Sequence, residues 1–144
     1  MFSINIKKEI VSSFSLTPAE EMLCHEEVVK DRYDSLLKYL RSLKPYAILP
    51  SVIMCNKTNV IIDGHHRYHS LIDLGMNKIP TTKINYSDSS IIADLDNEIS
   101  KEEIIYAGIN KQLLKPKSSF HHILDVNDKP SPIILLSTIC KLDF

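Results

Sequence analysis

From Asp31 onward the apolar side chains Tyr33, Leu36, Leu37, Leu40 and Leu43 recur at intervals of three and four. That is the spacing of one buried face of an α-helix, and it predicts a helix to about Leu43, ended by Lys44-Pro45. The pattern then changes. Ala47 to Cys55 is almost continuously apolar and of strand length, with Pro50 confining that point to an edge or a strand start. Asn56-Lys57-Thr58-Asn59 reads as a turn and Val60-Ile61-Ile62 as the return strand, so the two runs predict a hairpin. A second helix follows from near His65, burying Leu71, Ile72 and Leu74 and stopping at Gly75, a left-handed cap. Met76 to Ile79 leads into a third strand, Pro80 to Tyr86.

The flanking regions carry weaker patterns. In the first sixteen residues Ile4, Ile6, Ile10 and Val11 fit a short strand or an irregular arm, and Thr17-Pro18-Ala19-Glu20 has the cap, proline and acid of a short helix. Ser87 to Asn97 is polar and reads as a loop or short helix. Ser100-Lys101-Glu102-Glu103 is a capping box for a helix with Ile104, Ile105, Ala107 and Ile109 inside. Leu113 to His122 leaves that helix as a loop, and Ile133 to Ile139 is a final apolar run, either a strand or a tail that covers the core. The sequence contains no internal repeat and no low-complexity tract.

With 144 residues and 44% hydrophobic content, the chain predicts one domain spanning residues 1–144 with a real core. Seventeen basic residues against eighteen acidic ones give no footprint for general nucleic-acid or membrane binding. No apolar stretch has bilayer length, and Lys7, Lys8 and Glu9 stand where a signal peptide needs its apolar segment, so a cytoplasmic location is expected. Cys24, Cys55 and Cys140 form no CxxC pair and read as reduced, buried filler. Oligomeric state is left open.

Candidate chemistry concentrates at Asp63-Gly64-His65-His66-Arg67, where a strand gives way to a helix. The free N–H groups of a helix start carry partial positive charge, Gly64 permits close approach to the backbone, and Arg67 adds a fixed cation, which together suit a phosphate. Asp63 can hold magnesium or accept a proton. The simpler reading is a tight turn in which Asp63 caps the helix; two histidines and an arginine at a helix amino terminus oppose the dipole unless an anion joins them. A metal is the rival reading, through His65 with His69 or His66 with His69 on shared helix faces, but the glutamate of a zinc-protease helix is missing. His25-Glu26-Glu27 taken alone is an acidic turn before a helix; if Glu26 meets Asp63, two carboxylates can divide acid–base and metal-holding work. Lys117-Ser118-Ser119-Phe120-His121 is either a polar loop or an anion nest.

The order of these motifs resembles the ParB/sulfiredoxin superfamily, within it the free-serine kinase branch. The resemblance rests on Leu16-Thr17-Pro18-Ala19-Glu20, His25-Glu26-Glu27-Val28-Val29, Ile48 to Ile53, Ile61 to Tyr68, Leu74-Gly75, Ile79-Pro80, Tyr86 and Leu113 to His121, a span of residues 16–122. It implies a mixed α/β (α+β) domain with a small mixed sheet and flanking helices, taking ATP or ADP with magnesium and a small-molecule acceptor. By position, Glu26 would activate the acceptor hydroxyl and Asp63 would assist and hold magnesium. Gly64, His65, His66 and Arg67 would hold phosphates, and Lys117, Ser118, Ser119 and His121 would face the acceptor. Phe120 stands where that branch has an arginine, which removes a bidentate carboxylate clamp. The chain is also short for a serine kinase. A slow ADP or ATP hydrolase and a non-enzymatic nucleotide-binding module are therefore the alternatives. Sulfiredoxin chemistry would need a cysteine in the DGHHR block, and a DNA clamp would need a helix-turn-helix segment and basic excess; the chain has none of these.

Overall fold

The computed structural model describes residues 4–144; residues 1–3 of the ambiguous amino-terminal stretch lie outside the described residues. A mixed α/β architecture is built on a four-stranded sheet in the order β1 (Val11–Pro18), β5 (Lys78–Ile84), β3 (Val52–Cys55) and β4 (Ile61–Asp63). β1 pairs antiparallel with β5, β5 parallel with β3, and β3 antiparallel with β4. All four residues of β3 are buried. A central strand covered on both faces has no polar side, which is why its sequence is apolar without alternation.

The two faces nonetheless have different partners. Ile53, Cys55 and Ile62 join a core with Ile84, Tyr86, Ile91, Ile104 and Ile123. Val52, Met54 and Ile61 face the other way, against Leu40, Tyr68, Leu71 and Ile79. Helices α1 (Lys30–Ser42) and α2 (His65–Asp73) cover that second face. Helix α3 (Lys101–Ile109) covers the first, where Gly108 sits so close to Val60, just before β4, that an added Cβ would meet both Val60 methyls at 2.7 Å.

Three expectations are corrected. The run from Ala47 to Cys55 is two strands: β2 (Tyr46–Pro50) leaves the main sheet to pair with β9 (Ile139–Asp143), and the chain changes sheet at Ser51. Pro50 is the last residue of β2, where its missing N–H does no harm to the sheet. Thr17-Pro18 closes β1 and does not open an α-helix; only a single 3₁₀ turn, Ala19–Glu21, follows. Side chains assigned inward are also redistributed, because Ile72 and Ile109 are exposed while Gly108 and Ala107 supply the packed face of α3.

The remaining elements match or refine the pattern. Gly75 ends α2 with φ of 91°, and the Ser100 hydroxyl accepts from the Glu103 N–H at the start of α3. Ser87 to Asn97, read as polar and loosely held, contains β6 (Ile91–Ile92) and buries Asp88, Ser90 and Ile91. β6 pairs with β7 (His122–Leu124), which pairs with β8 (Pro130–Pro132). The last apolar run is a 3₁₀ turn, Ile133–Leu136, followed by β9.

Candidate active site

The segment from Leu23 to Val29 carries Glu26 and runs beside β4. Leu23 donates its N–H to Asn59 and accepts from Ile61, while on the other side Leu114 donates to His25 and Glu27 donates to Leu114. Those backbone bonds hold the segment between β4 and the exit of α3. Two imidazoles at the start of α2 pin it further: His65 Nε2 accepts the His25 N–H at 3.2 Å, and His66 Nε2 accepts the Val29 N–H at 3.0 Å. Both rings are therefore neutral at Nε2 and keep their proton on Nδ1. Burial holds His65 well below the usual imidazole range and lowers His66 as well, with Arg32 adding to the latter.

Gly64 is the hinge of the β4-to-α2 turn, with φ of 105° and no side-chain cap on the helix. A Cβ there would meet the Arg67 guanidinium at 2.9 Å, the movable end of a side chain, so it is the backbone angle that calls for glycine. The uncapped first turn of α2 leaves backbone N–H groups available to an anion. Arg67 donates to Asp63 Oδ2 at 2.9 Å and to the Ser51 carbonyl at 3.3 Å; its buried Nε finds no partner among the described residues.

Glu26 and Asp63 wall one cavity of about 500 Å³ together with Arg32, Gly64, His65, His66, Lys117, Ser119, Phe120 and His121. Lys117, in the left-handed region with φ of 60°, turns its N–H to Glu26 Oε1 at 2.7 Å, and the Ser119 hydroxyl lies 3.1 Å from Oε2. Desolvation raises the Glu26 carboxyl above its usual range, opposed by these two hydrogen bonds. His25 is fully buried, and its Nδ1 lies 2.6 Å from the Ile61 carbonyl, so Nδ1 carries the proton and Nε2 presents a lone pair to Ser119 Oγ at 3.2 Å. Burial pushes His25 down to about 4.

The predicted residues do not all gather here. Arg67 faces the neighbouring hollow of about 350 Å³, which shares Asp63, Gly64 and His66 with the main cavity. Ser118 is turned away, its hydroxyl bonded to the Lys115 carbonyl. His121 reaches the wall but spends Nε2 on the Tyr86 hydroxyl at 2.8 Å, and burial drives it down to about 3. His69 sits apart with Cys24, ring nitrogen to sulfur 3.7 Å, and among the described residues no group of three or more His, Cys, Asp or Glu side chains is placed to hold a metal. Two residues of the site escaped the sequence reading. His25 gave no signal beyond its neighbour Glu26, and Arg32 is an exposed cation on α1 whose place at the mouth depends on where the helix docks.

The chain shares 33% identity over 87 residues with a ParB-like protein of Sulfolobus acidocaldarius, covering 60% of this chain and 39% of that one. It shares 31% over 78 residues with an ATP-dependent L-serine kinase of Staphylothermus marinus, covering 53% and 31%. The chain resembles the ParB-like proteins of the serine-kinase branch. Among solved structures, a free serine kinase variant in complex with ADP superposes with a TM-score of 0.48 at 20% identity, over 65% of this chain and 38% of that one. No family profile matches the chain. The matched regions span only about a third of the curated relatives' length. No helix among the described residues is long and apolar enough to cross a membrane.

Proposed function

We propose that this domain binds ATP or ADP with magnesium and transfers the terminal phosphoryl group to a small hydroxyl acceptor, most like a free L-serine kinase. The observation that carries the reading is the meeting of Glu26 and Asp63, thirty-seven positions apart in sequence, on one cavity beside an uncapped helix start. The similarity to an ATP-dependent L-serine kinase supports the same chemistry. Phosphate oxygens take the first-turn N–H groups at Gly64, His65 and His66, and the imidazoles, neutral at Nε2, act as fixed dipoles. Arg67 stands behind Asp63 as a cation and holds its carboxylate in place. Glu26, made more basic by its dry surroundings, takes the acceptor's proton.

One Asp63 oxygen is committed to Arg67. The other fits a magnesium ion carried mostly by nucleotide phosphates and water, not a cage of protein ligands. Such an ion would offset charge on the transferring phosphoryl group.

A hydrolase is the second reading, and Phe120 favours it. This side chain is 62% exposed at the cavity rim and offers nothing to clamp an amino-acid carboxylate. With no acceptor held in line, water takes its place. Labelled ATP and ADP, each incubated with and without free serine, separate the two. Phosphoserine supports the kinase; inorganic phosphate unchanged by serine rejects it in favour of hydrolysis; consumption of neither nucleotide rejects both.

A further inference from the structure

Both oxygens of Glu26 are already bonded to the chain's own loop, Oε1 by the Lys117 N–H and Oε2 by the Ser119 hydroxyl. Each oxygen keeps a second lone pair that an external acceptor can still use, but Ser119 already stands at the base. Its Oγ lies between two proton acceptors, Glu26 Oε2 at 3.1 Å and His25 Nε2 at 3.2 Å, the setting in which a serine hydroxyl becomes a nucleophile. It is half-buried and lines the same cavity as Gly64, His65 and His66. Its neighbour Ser118 does not compete, because that hydroxyl is bonded to the Lys115 carbonyl.

We propose that Ser119 is itself a phosphoryl acceptor, modified within the same chain by the nucleotide bound at the Gly64 turn. The proposal rests on the nucleotide-binding reading given above. In the step, the Ser119 O–H bond breaks and its proton passes to Glu26 Oε2. The Oγ–P bond forms as the bond from the terminal phosphorus to its bridging oxygen breaks, and the nucleotide leaves one phosphate shorter. His25 stays neutral, with its own proton on Nδ1 donated to the Ile61 carbonyl, and its Nε2 stands 3.2 Å from Oγ as a second acceptor site for the same hydroxyl. Once Glu26 has released that proton to water, a phosphate dianion stands against its carboxylate, and their repulsion drives the loop off the base. Each chain is therefore modified once.

The full chain is incubated with magnesium and terminally labelled ATP or ADP, quenched in acid, and mapped by mass spectrometry, while calorimetry on the same preparation measures nucleotide binding. The expected result is one phosphoserine per chain at Ser119, forming at a rate per chain that does not change on dilution. S119A abolishes the mark, and S119T, which keeps the hydroxyl and guards against a folding defect, carries phosphothreonine instead. Bound nucleotide with no label, a label on Ser118, or an unlabelled folded S119T overturns the proposal and leaves the nucleotide reading standing. Failure to bind either nucleotide overturns both.

Discussion

Acid should unfold this domain through its buried imidazoles. His25 and His121 are held neutral in the folded state, at about 4 and about 3, by burial, with the His25 bond to the Ile61 carbonyl opposing the shift. In the unfolded chain both return to about 6.5. The folded values are depressed, so the stabilisation is fully present above about pH 6.5 and is lost as pH falls toward the folded values. By linkage each ring costs about 3 kcal/mol of stability by about pH 4. Against a whole-domain stability of about 5–15 kcal/mol, the pair is enough to unfold the protein or nearly so. The groups facing them act in known directions. His65 is depressed and adds to the loss, whereas Glu26, raised by desolvation, works with the opposite sign and is stabilising in its protonated form. Urea unfolding followed by far-UV circular dichroism, repeated from about pH 7 to about pH 4, reads the slope; the chain has no tryptophan to serve as a fluorescent probe. The double variant H25Q/H121Q should flatten that slope even though it is less stable at neutral pH. An unchanged slope in the double variant would place the acid lability in the carboxylates and not in these imidazoles.

Asp63→Asn should lower nucleotide turnover far more than nucleotide affinity, because it keeps the size of a group proposed to act on the reacting phosphate; steady-state rates beside calorimetric titration check this, and undiminished turnover removes Asp63 from the mechanism. Gly64→Ala should cost about 1–3 kcal/mol by forcing a side chain into the left-handed region, read as a fall in denaturation midpoint. Ser100→Ala removes the acceptor for the Glu103 N–H at the start of α3 and should cost about 1 kcal/mol by the same measurement, without moving nucleotide affinity.

Local chemistry alone determined several parts of this protein. The spacing from Tyr33 to Leu43, the capping serine at position 100, the Gly75 stop and the turn at Asp63-Gly64 are written in residues a few positions apart, and helices, caps and tight turns are decided at that range. What the sequence could not decide is long-range. The break of one apolar run into β2 and β3 depends on β9, some ninety residues away, because a strand's partner is chosen by the register of the whole sheet. Which of the apolar residues on α2 and α3 are buried depends on where each helix docks, so Ile72 and Ile109 kept a helical pattern yet face solvent. The same is true of the site. Glu26 reaches Asp63 only because backbone bonds from β4 and two imidazoles of α2 hold its segment in place, and His25 becomes a partner of Ser119 only once that segment and the loop after α3 are packed together. Residue types announce what chemistry is available, whereas distance and dryness, which turn it into a site, arise only when remote segments close on one cavity.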